Sequence, residues 1–398
     1  MDQTGVAKQM AFKAAISTEA VTEAAMEEVC GALVAMKPDL LAVFASHHHE
    51  PGFEALIDGL QSRVSPRNLV GCTGDSIIGP NREVENAPAV AVWAARMPGV
   101  RVLPFVLDQH DLTGFDDAED FVDRAGVRPE AKPSFVLLPD PFSIDAEQCL
   151  GRMNEAYPGC TIVGGMASGA DAPGQNRLFL NDQVLRQGLV GVSLSGPISI
   201  TPVVSQGCRP IGELLLVTKA KENVIQEIRG HPAIEILRAV YESAPTAEKA
   251  LIHQGLFVGC VVGRADKAES RREFLIRNLL GIVESKGLAV NTLVKKGQVI
   301  QFHVRDARSA SREMKALLTG KIAAMDQAPG GGLLFSCNGR GRRMFGIPDH
   351  DITLVNRHAR GCQVAGFFAG GEIGPLGGRA YIHGFTSSLI LFNAPPAT

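Results

Sequence analysis

The chain has 398 residues, of which 45% are apolar and 20% charged, and its formal net charge is −3. This is an ordinary globular composition, too long for one hydrophobic core, and it predicts two or more domains. A slightly acidic chain with 6% aromatic residues and no long basic run argues against a nucleic-acid partner. There is no uninterrupted apolar run long enough to span a membrane, and the N-terminal MDQTGVAKQMAFKAAIST lacks a signal-length apolar core. Eight cysteines without a CxxC pair read as reduced, mostly buried thiols, so a cytoplasmic location is expected. Charge is uneven: residues 1–120 carry 8 Lys/Arg against 18 Asp/Glu, and the remainder carries 31 against 24.

In chain order, Thr18–Lys37 reads as a helix, with Ser17 or Thr18 as its cap, apolar residues at helical spacing and Pro38 as its stop. Strand Leu40–Ser46 (LLAVFAS) follows, then a helix near Gly52–Val64, then strand Asn68–Cys72, which opens NLVGCTGDSIIG (68–79). Ala87–Ala95 and Gly99–Leu107 read as a hairpin around Met97-Pro98-Gly99. The order repeats: Phe135–Phe142 (FVLLPDPF), a helix-length segment, then Cys160–Gly169 (CTIVGGMASG) and a second hairpin, Val184–Leu194 with Ile198–Gln206. Ile211–Thr218 then reads as a strand, and Glu222–Glu242 as a helix broken at Pro232. The later half continues with strand Leu256–Val262, a helix near Arg271–Leu280, strand Val299–Val304 and a helix from Ala310 to Met325. A third copy follows, Leu333–Gly341 (LLFSCNGRG) and Cys362–Gly374 (CQVAGFFAGGEIG), and the Pro-rich 394–398 tail reads as frayed.

Strand, helix, strand at this spacing is a βαβ unit, so Gly71, Gly164 and Gly366 should each end a strand that neighbours and runs parallel to the one ending at Ser46, Asp140 and Cys337 respectively. The fold class that follows is α/β. It has two lobes of mixed parallel and antiparallel sheets flanked by helices, built from repeated βαβ-plus-hairpin units. Residues 1–232 would form the first lobe and 233–398 the second.

Ligands of such sheets sit at the C-terminal ends of the parallel strands. That edge nominates Ser46, His47, Cys72, Thr73, Asp140, Gly164 and Gly165 from the first two copies, and Cys337, Asn338, Arg340, Gly370, Gly371 and Glu372 from the third. In VRDARSAS (304–311), Arg305 and Arg308 offer forked donors for a carboxylate or phosphate, and Ser309 or Ser311 can cap the helix that follows. Asp306 either joins that site or pins the turn by pairing with one of the arginines. Glu372, the one ionisable group in an apolar stretch, either holds a ligand's amine or pairs with an arginine. His47-His48-His49-Glu50 has no metal-ligand spacing, so no metal and no cofactor is expected. Cys72 and Cys337 are the alternative nucleophiles, should one of these histidines meet either of them.

The order of these motifs resembles the FIST family, named for F-box and intracellular signal transduction. LLAVFAS, VGCTGDSIIG and GVRVLPF are similar to a FIST N domain, and SQGCRPIGELLLVTKAKENVIQEIRGHPAIEIL to its hand-over. FHVRDARSAS, LLFSCNGRG and VAGFFAGGEIG are similar to FIST C. The resemblance implies a sensory role in signal transduction, with a small ligand such as an amino acid and output through a protein partner. The expected function is therefore binding of a small carboxylate-bearing metabolite between the glycine loops, with neither nucleic acid nor membrane as a partner. A cysteine-dependent hydrolase or transferase, and an interaction scaffold without a small ligand, are the alternatives.

Overall fold

The computed structural model describes residues 9–263, 273–283 and 286–395. The chain divides into two compact units: one of residues 1–205, 314–382 and 386–398, and one of 206–313 and 383–385.

The first unit is three copies of one arrangement. Copy one holds β1 (Ala11–Ser17), α1 (Thr22–Ala32), β2 (Leu40–Ser46), α2 (Phe53–Val64), β3 (Leu69–Gly74), β4 (Ile77–Ile78), β5 (Glu83–Val84) and β6 (Val90–Arg96). Copy two holds β7 (Arg101–Leu107), α3 (Gln109–Gly114), α4 (Ala118–Ala125), β8 (Ser134–Pro139), α5 (Ala146–Ala156), β9 (Ile162–Gly165), β10 (Leu178–Leu180), β11 (Gln183–Leu185) and β12 (Leu189–Ser195). Copy three opens with β13 (Ser199–Ser205) and is then interrupted by the second unit.

That second unit consists of β14 (Cys208–Lys221), β15 (Val224–Ile228), β16 (His231–Pro232), α6 (Ala233–Ser243), α7 (Thr246–Gln254), β17 (Leu256–Val262), β18 (Glu273–Val283), β19 (Gly287–Val290) and β20 (Val299–Arg305). Its strands follow the order β14-β20-β17-β18-β19-β15, and β15 also pairs with β14, so the sheet closes into a barrel. Val217, Ile225, Val258, Leu288, Ile300 and Phe302 fill its core. The chain then resumes copy three with α8 (Ala307–Ala323), β21 (Gly331–Cys337), α9 (Gly341–Phe345), α10 (His350–His358), β22 (Gln363–Ala369), β23 (Glu372–Leu376), β24 (Arg379–His383) and β25 (Ser387–Asn393).

All three expected parallel pairs are present. β2 runs parallel to β3 with Val43 opposite Gly71, β8 to β9 with Leu137 opposite Gly164, and β21 to β22 with Leu334 opposite Gly366. The glycines do not end their strands as expected but lie within them, where the backbones come close. A Cβ at Gly71, Gly164 or Gly366 would fall 2.0, 1.9 or 1.8 Å from the carbonyl oxygen of Val43, Leu137 or Leu334. Only a residue without a side chain fits there.

The expected hairpins are not formed. β6 lies between β1 and β2 with both edges occupied, whereas β7 pairs with β12 in another sheet. Likewise β12 lies between β7 and β8, and β13 pairs with β25. The strands are adjacent in sequence, but each hand-over at Met97–Val100 and Gly196–Ile198 carries the chain from one sheet to the next. The short hairpins are exchanged too. β4–β5 joins β22, β10–β11 joins β3, and β23–β24 joins β9. The result is three six-stranded sheets of identical order, each assembled from more than one copy.

Each sheet turns one face to a shared core. Phe44, Phe335 and Phe367 meet there with ring centroids 5.2–6.3 Å apart, and Trp93 stacks against Phe12 and Phe392. Each such buried aromatic ring contributes about 1.5–3 kcal/mol. The outer faces carry helices: α1 and α2 on the first sheet, α4 and α5 on the second, α8 and α10 on the third.

Three helix expectations are corrected. Thr18–Lys37 shortens to α1, because Ser17 ends a strand and Ala35 and Lys37 adopt left-handed conformations. Val21, without a side-chain cap, precedes that helix in place of Ser17 or Thr18. In Glu222–Glu242 only the part from residue 233 onward is helical. Left-handed Glu222 and Arg229 bracket β15, whose Val224, Ile225 and Ile228 favour a strand. Residues 273–280 of the Arg271–Leu280 segment lie in β18, antiparallel to β17; Arg271 and Arg272 lie outside the described residues, as do 396–398 of the tail.

The close approach of the parallel strands gives a stability test. Gly71→Ala and Gly366→Ala should each cost about 3 kcal/mol or more, the range of severe core substitutions. Gly31→Ala on α1, where a Cβ meets nothing within 4 Å, should instead stabilise by up to about 1 kcal/mol. Denaturant midpoints of the three variants check this, and a mild Gly366→Ala would refute the backbone clash.

Candidate ligand cleft at the strand ends

The loops that leave β3, β9 and β22 meet. Phe368 N donates to Ser76 O at 2.9 Å, Met166 N to Gly371 O at 2.8 Å, and Gly370 N to Met166 O at 3.1 Å. Ser168 closes the ring: its N donates to Thr73 O, its Oγ accepts from Asp75 N at 3.0 Å and donates to Phe368 O. All three glycine loops therefore converge through backbone groups on one edge.

The three connections differ in length. Residues 75–76 link β3 to β4 and 370–371 link β22 to β23, whereas 166–177 link β9 to β10. The long connection folds back over the ends of β2 and β3 and leaves a cleft of about 280 Å³. Phe53 and Thr73 form its buried floor, and His47, Glu50, Asp75, Ser168, Asp171 and Gln175 line it.

The cleft wall is held from beneath. Arg177 is buried. Its Nη1 donates to the carbonyls of Gly174, Gln175 and Asn176, each at 2.9 Å, and its Nη2 pairs with Glu50 at 2.7 Å. Thr73 Oγ1 bonds Asn176 and accepts from Arg177 N, and Asn176 Nδ2 reaches Asp140 Oδ1 at 3.0 Å. Asp140 thus works behind the wall, and the wall itself presents hydroxyls and carboxylates. Arg177 pairs with Glu50, and among the described residues Asp75 and Asp171 are the cleft acids without an ion pair.

The histidine run divides. His47 reaches the cleft, His48 hydrogen-bonds Ser46 Oγ at 3.3 Å, and buried His49 bonds Thr22 Oγ1 at 3.1 Å. Burial, then the neighbouring His47, pulls the His48 ring below its ordinary pKa. Ser46 itself is buried and accepts from Ala89 N at 3.0 Å.

The other nominated residues lie elsewhere. Cys72 faces the shared aromatic core, and burial alone pushes its thiol well up, away from thiolate chemistry. Gly164 and Gly165 are packed between strands. Arg305, Asp306, Arg308 and Ser309 belong to the barrel unit. Arg305 lies over the Phe385 ring at 5.1 Å, and Asp306 pairs with Arg209 at 2.9 Å. Asp306 Oδ1, not Ser309 or Ser311, caps α8 by accepting from Arg308 N and Ser309 N. Burial opposes the charge of Asp306, but Arg209 and those N–H groups outweigh it and hold the carboxyl below its usual range.

Arg340 is wholly buried. It grips Asp351 through Nε at 2.7 Å and Nη2 at 2.9 Å, with Ser336 and His350 on the same carboxylate. Burial opposes the Asp351 charge, but Arg340 and His350 leave the group well below the carboxylate range. Cys337 ends β21, and Asn338 beside it donates its N to Ala369 O. Glu372 is fully buried and accepts from Thr386 N at 3.1 Å.

A larger groove of about 450 Å³ opens on the barrel unit, lined by Lys219, Lys221, Glu222, Glu227 and Lys286 among others. Its charged lining lacks the buried, hydrogen-bonded floor of the smaller cleft. We therefore place the candidate site at the strand ends.

Sequence reasoning named His47 and Thr73, read Glu50 only within the 47–50 loop, and missed Asp75, Ser168, Asp171, Gln175 and Arg177. The signal available was ASGADAPGQNR (167–177), a small, polar, turn-rich run just past a glycine strand.

Two buried acids give a pH test. Burial pushes Glu372 up to about 8, and burial with Asp351 nearby does the same to Glu83. The unfolded chain sheds these protons above about pH 4.3, so the native state binds more protons between there and about pH 8. Their contribution to stability is full below that window and is lost as pH rises through about 8, with a slope of up to about 1.4 kcal/mol per unit for each group. Asp351 acts in the opposite direction, stabilising above about pH 4 and failing below it. The urea midpoint should therefore rise as pH falls from about 8 to about 5.5, and Glu372→Gln should flatten that rise.

The chain resembles known proteins along most of its length. The FIST N domain matches residues 39–231 and the FIST C domain residues 233–375. An uncharacterized protein of Mycobacterium tuberculosis is 40% identical over 373 residues, covering 92% of this chain and 94% of that protein. An uncharacterized protein of Mycobacterium bovis is 38% identical over 362 residues, covering 89% and 90%. Among solved structures, a cyanuric acid hydrolase from A. caulinodans aligns over 97% of this chain and 99% of that chain, at 10% identity and a TM-score of 0.33. The two domain matches, in order and across most of the length, show that the chain belongs to the FIST family, whose domains are associated with signal transduction.

Proposed function

We propose that this protein is a sensor that binds a small polar metabolite, such as an amino acid, in the cleft between the ends of β2–β3 and residues 166–177. The observation that carries the proposal is the break in the threefold pattern. Three equivalent strand edges exist, and the edge with the long connection has the cleft and its layered hydrogen-bonded wall.

A volume of about 280 Å³ suits a ligand of metabolite size. Asp75 and Asp171 suit its ammonium group, and Ser168, Gln175 and His47 are left for its polar remainder. Two of the arginines expected to hold a carboxylate are engaged elsewhere, Arg340 with Asp351 and Arg305 over Phe385. The ammonium end is therefore the better-supported half of the ligand. Signalling would follow from holding residues 168–175 against His47 and Glu50, which favours one loop conformation by the ligand's differential affinity. A partner protein would read that conformation.

A thermal-shift screen of amino acids and small amines should return a stabilising ligand. Asp75→Asn should then weaken its calorimetric affinity about tenfold to a hundredfold, the worth of a charge-assisted hydrogen bond, without lowering the melting temperature. Arg305→Ala should leave affinity unchanged. Normal binding by Asp75→Asn would remove the cleft from the account.

A further inference from the structure

Cys337 stands at the strand end where the other copies have Ser46 and Asp140. Those two side chains are committed: Ser46 Oγ accepts from Ala89 N, and Asp140 accepts from Ser143 and Asn176. Thr386 ties Cys337 to Glu372: its O accepts from Cys337 N at 3.0 Å and its N donates to Glu372 Oε2 at 3.1 Å, which sets the thiol beside the Glu372 carboxyl. Glu372 has no exposed surface, and its Oε1 has no nitrogen or oxygen partner, while Oε2 accepts from Thr386 N. An acidic oxygen enclosed in this way costs stability unless something meets it.

The sulfur has the other features of a reactive thiol. Gly339 N donates to Sγ at 3.4 Å, an N–H that favours the thiolate over the thiol. The buried Arg340 guanidinium interacts electrostatically with both Cys337 and Glu372. Cys337 is half-buried at its strand end, as are Cys160 and Cys208, whereas Cys30, Cys72, Cys149, Cys260 and Cys362 are buried.

We propose that Cys337 and Glu372 form a peroxide-reactive pair, separate from the ligand cleft, in which Cys337 is oxidised to a sulfenic acid. In its ionised form, which grows as pH rises toward about 8, the Glu372 carboxylate takes the thiol proton. The thiolate sulfur attacks one oxygen of a hydroperoxide, an S–O bond forms as the O–O bond breaks, and the leaving oxygen takes the proton from Glu372 to depart as water or an alcohol. Sulfur is oxidised by two electrons and the peroxide is reduced by two. The new S–OH then has Glu372 Oε1 as an acceptor, which supplies the partner that this oxygen lacks.

The full-length reduced protein, treated with equimolar hydrogen peroxide and dimedone and then mapped by peptide mass spectrometry, should carry the dimedone adduct at Cys337. In native protein, iodoacetamide should modify Cys337 at least about tenfold faster than Cys160, the scale of general-base assistance. Glu372→Gln should slow both reactions at Cys337 while its melting curve stays cooperative. If that variant does not fold, the wild-type alkylation rate against pH decides, since a coupled pair gives a profile that Cys160 does not share. A Cys337 that alkylates no faster than Cys160, or an adduct that forms mainly on another cysteine, would overturn the proposal.

Discussion

Each parallel pair in this protein has an outer edge that its own copy does not cover. β3, β9 and β22 all present unpaired N–H and C=O groups, and in each case the hairpin that covers them comes from another copy. An open edge of this kind is costly and prone to misassociation. Covering it by exchange makes the three copies depend on one another. Their inner faces are joined by the same constraint, since Phe44, Phe335 and Phe367 come from two sheets and pack as one cluster. No copy can complete its sheet alone.

Exchange also places the chemistry. To reach the neighbouring sheet, the chain must cross at the C-terminal ends of β3, β9 and β22, so the three crossings meet there and interlock through Ser76, Met166, Ser168, Phe368 and Gly370. Two crossings take only two residues each. The third has residues to spare, and those residues build a wall around Arg177. The cleft is thus a local elaboration of a connection that the architecture already requires, on a rigid frame, with the variable part in a loop. The exchanged hairpin of copy one is latched by acids: Glu83 accepts from Ile352 N at the start of α10, and Glu85 accepts from Arg342 N in α9.

Local pattern showed the parts that depend on neighbours in sequence. The parallel pairs were legible because strand, helix and strand lie within one short span, and Gly71, Gly164 and Gly366 marked the close approach. The exchange was not legible, because β6 and β7 are consecutive strands joined by a turn and read as a hairpin by every local criterion; only the occupied edges of β6 exclude it. The barrel was obscured for a related reason. β15 and β18 carry amphipathic runs short enough to fit either period, and closure between β14 and β15 is a long-range fact. Arg340 was read as a ligand residue, yet Asp351 lies within reach across the turn between α9 and α10, a pairing that sequence spacing alone does not disclose. Of the cleft residues, His47 and Thr73 stood out by position, whereas Asp75 and Ser168 owe their place to the convergence of two crossings.

Sensing in this cleft requires that residues 166–177 be the element that a ligand orders. Hydrogen exchange of the whole chain, with and without a saturating amino acid that raises its melting temperature, tests this directly. Slowed exchange should be confined to residues 47–53, 73–76 and 166–177. Protection centred on the barrel strands between 208 and 305, with none in 166–177, would contradict it.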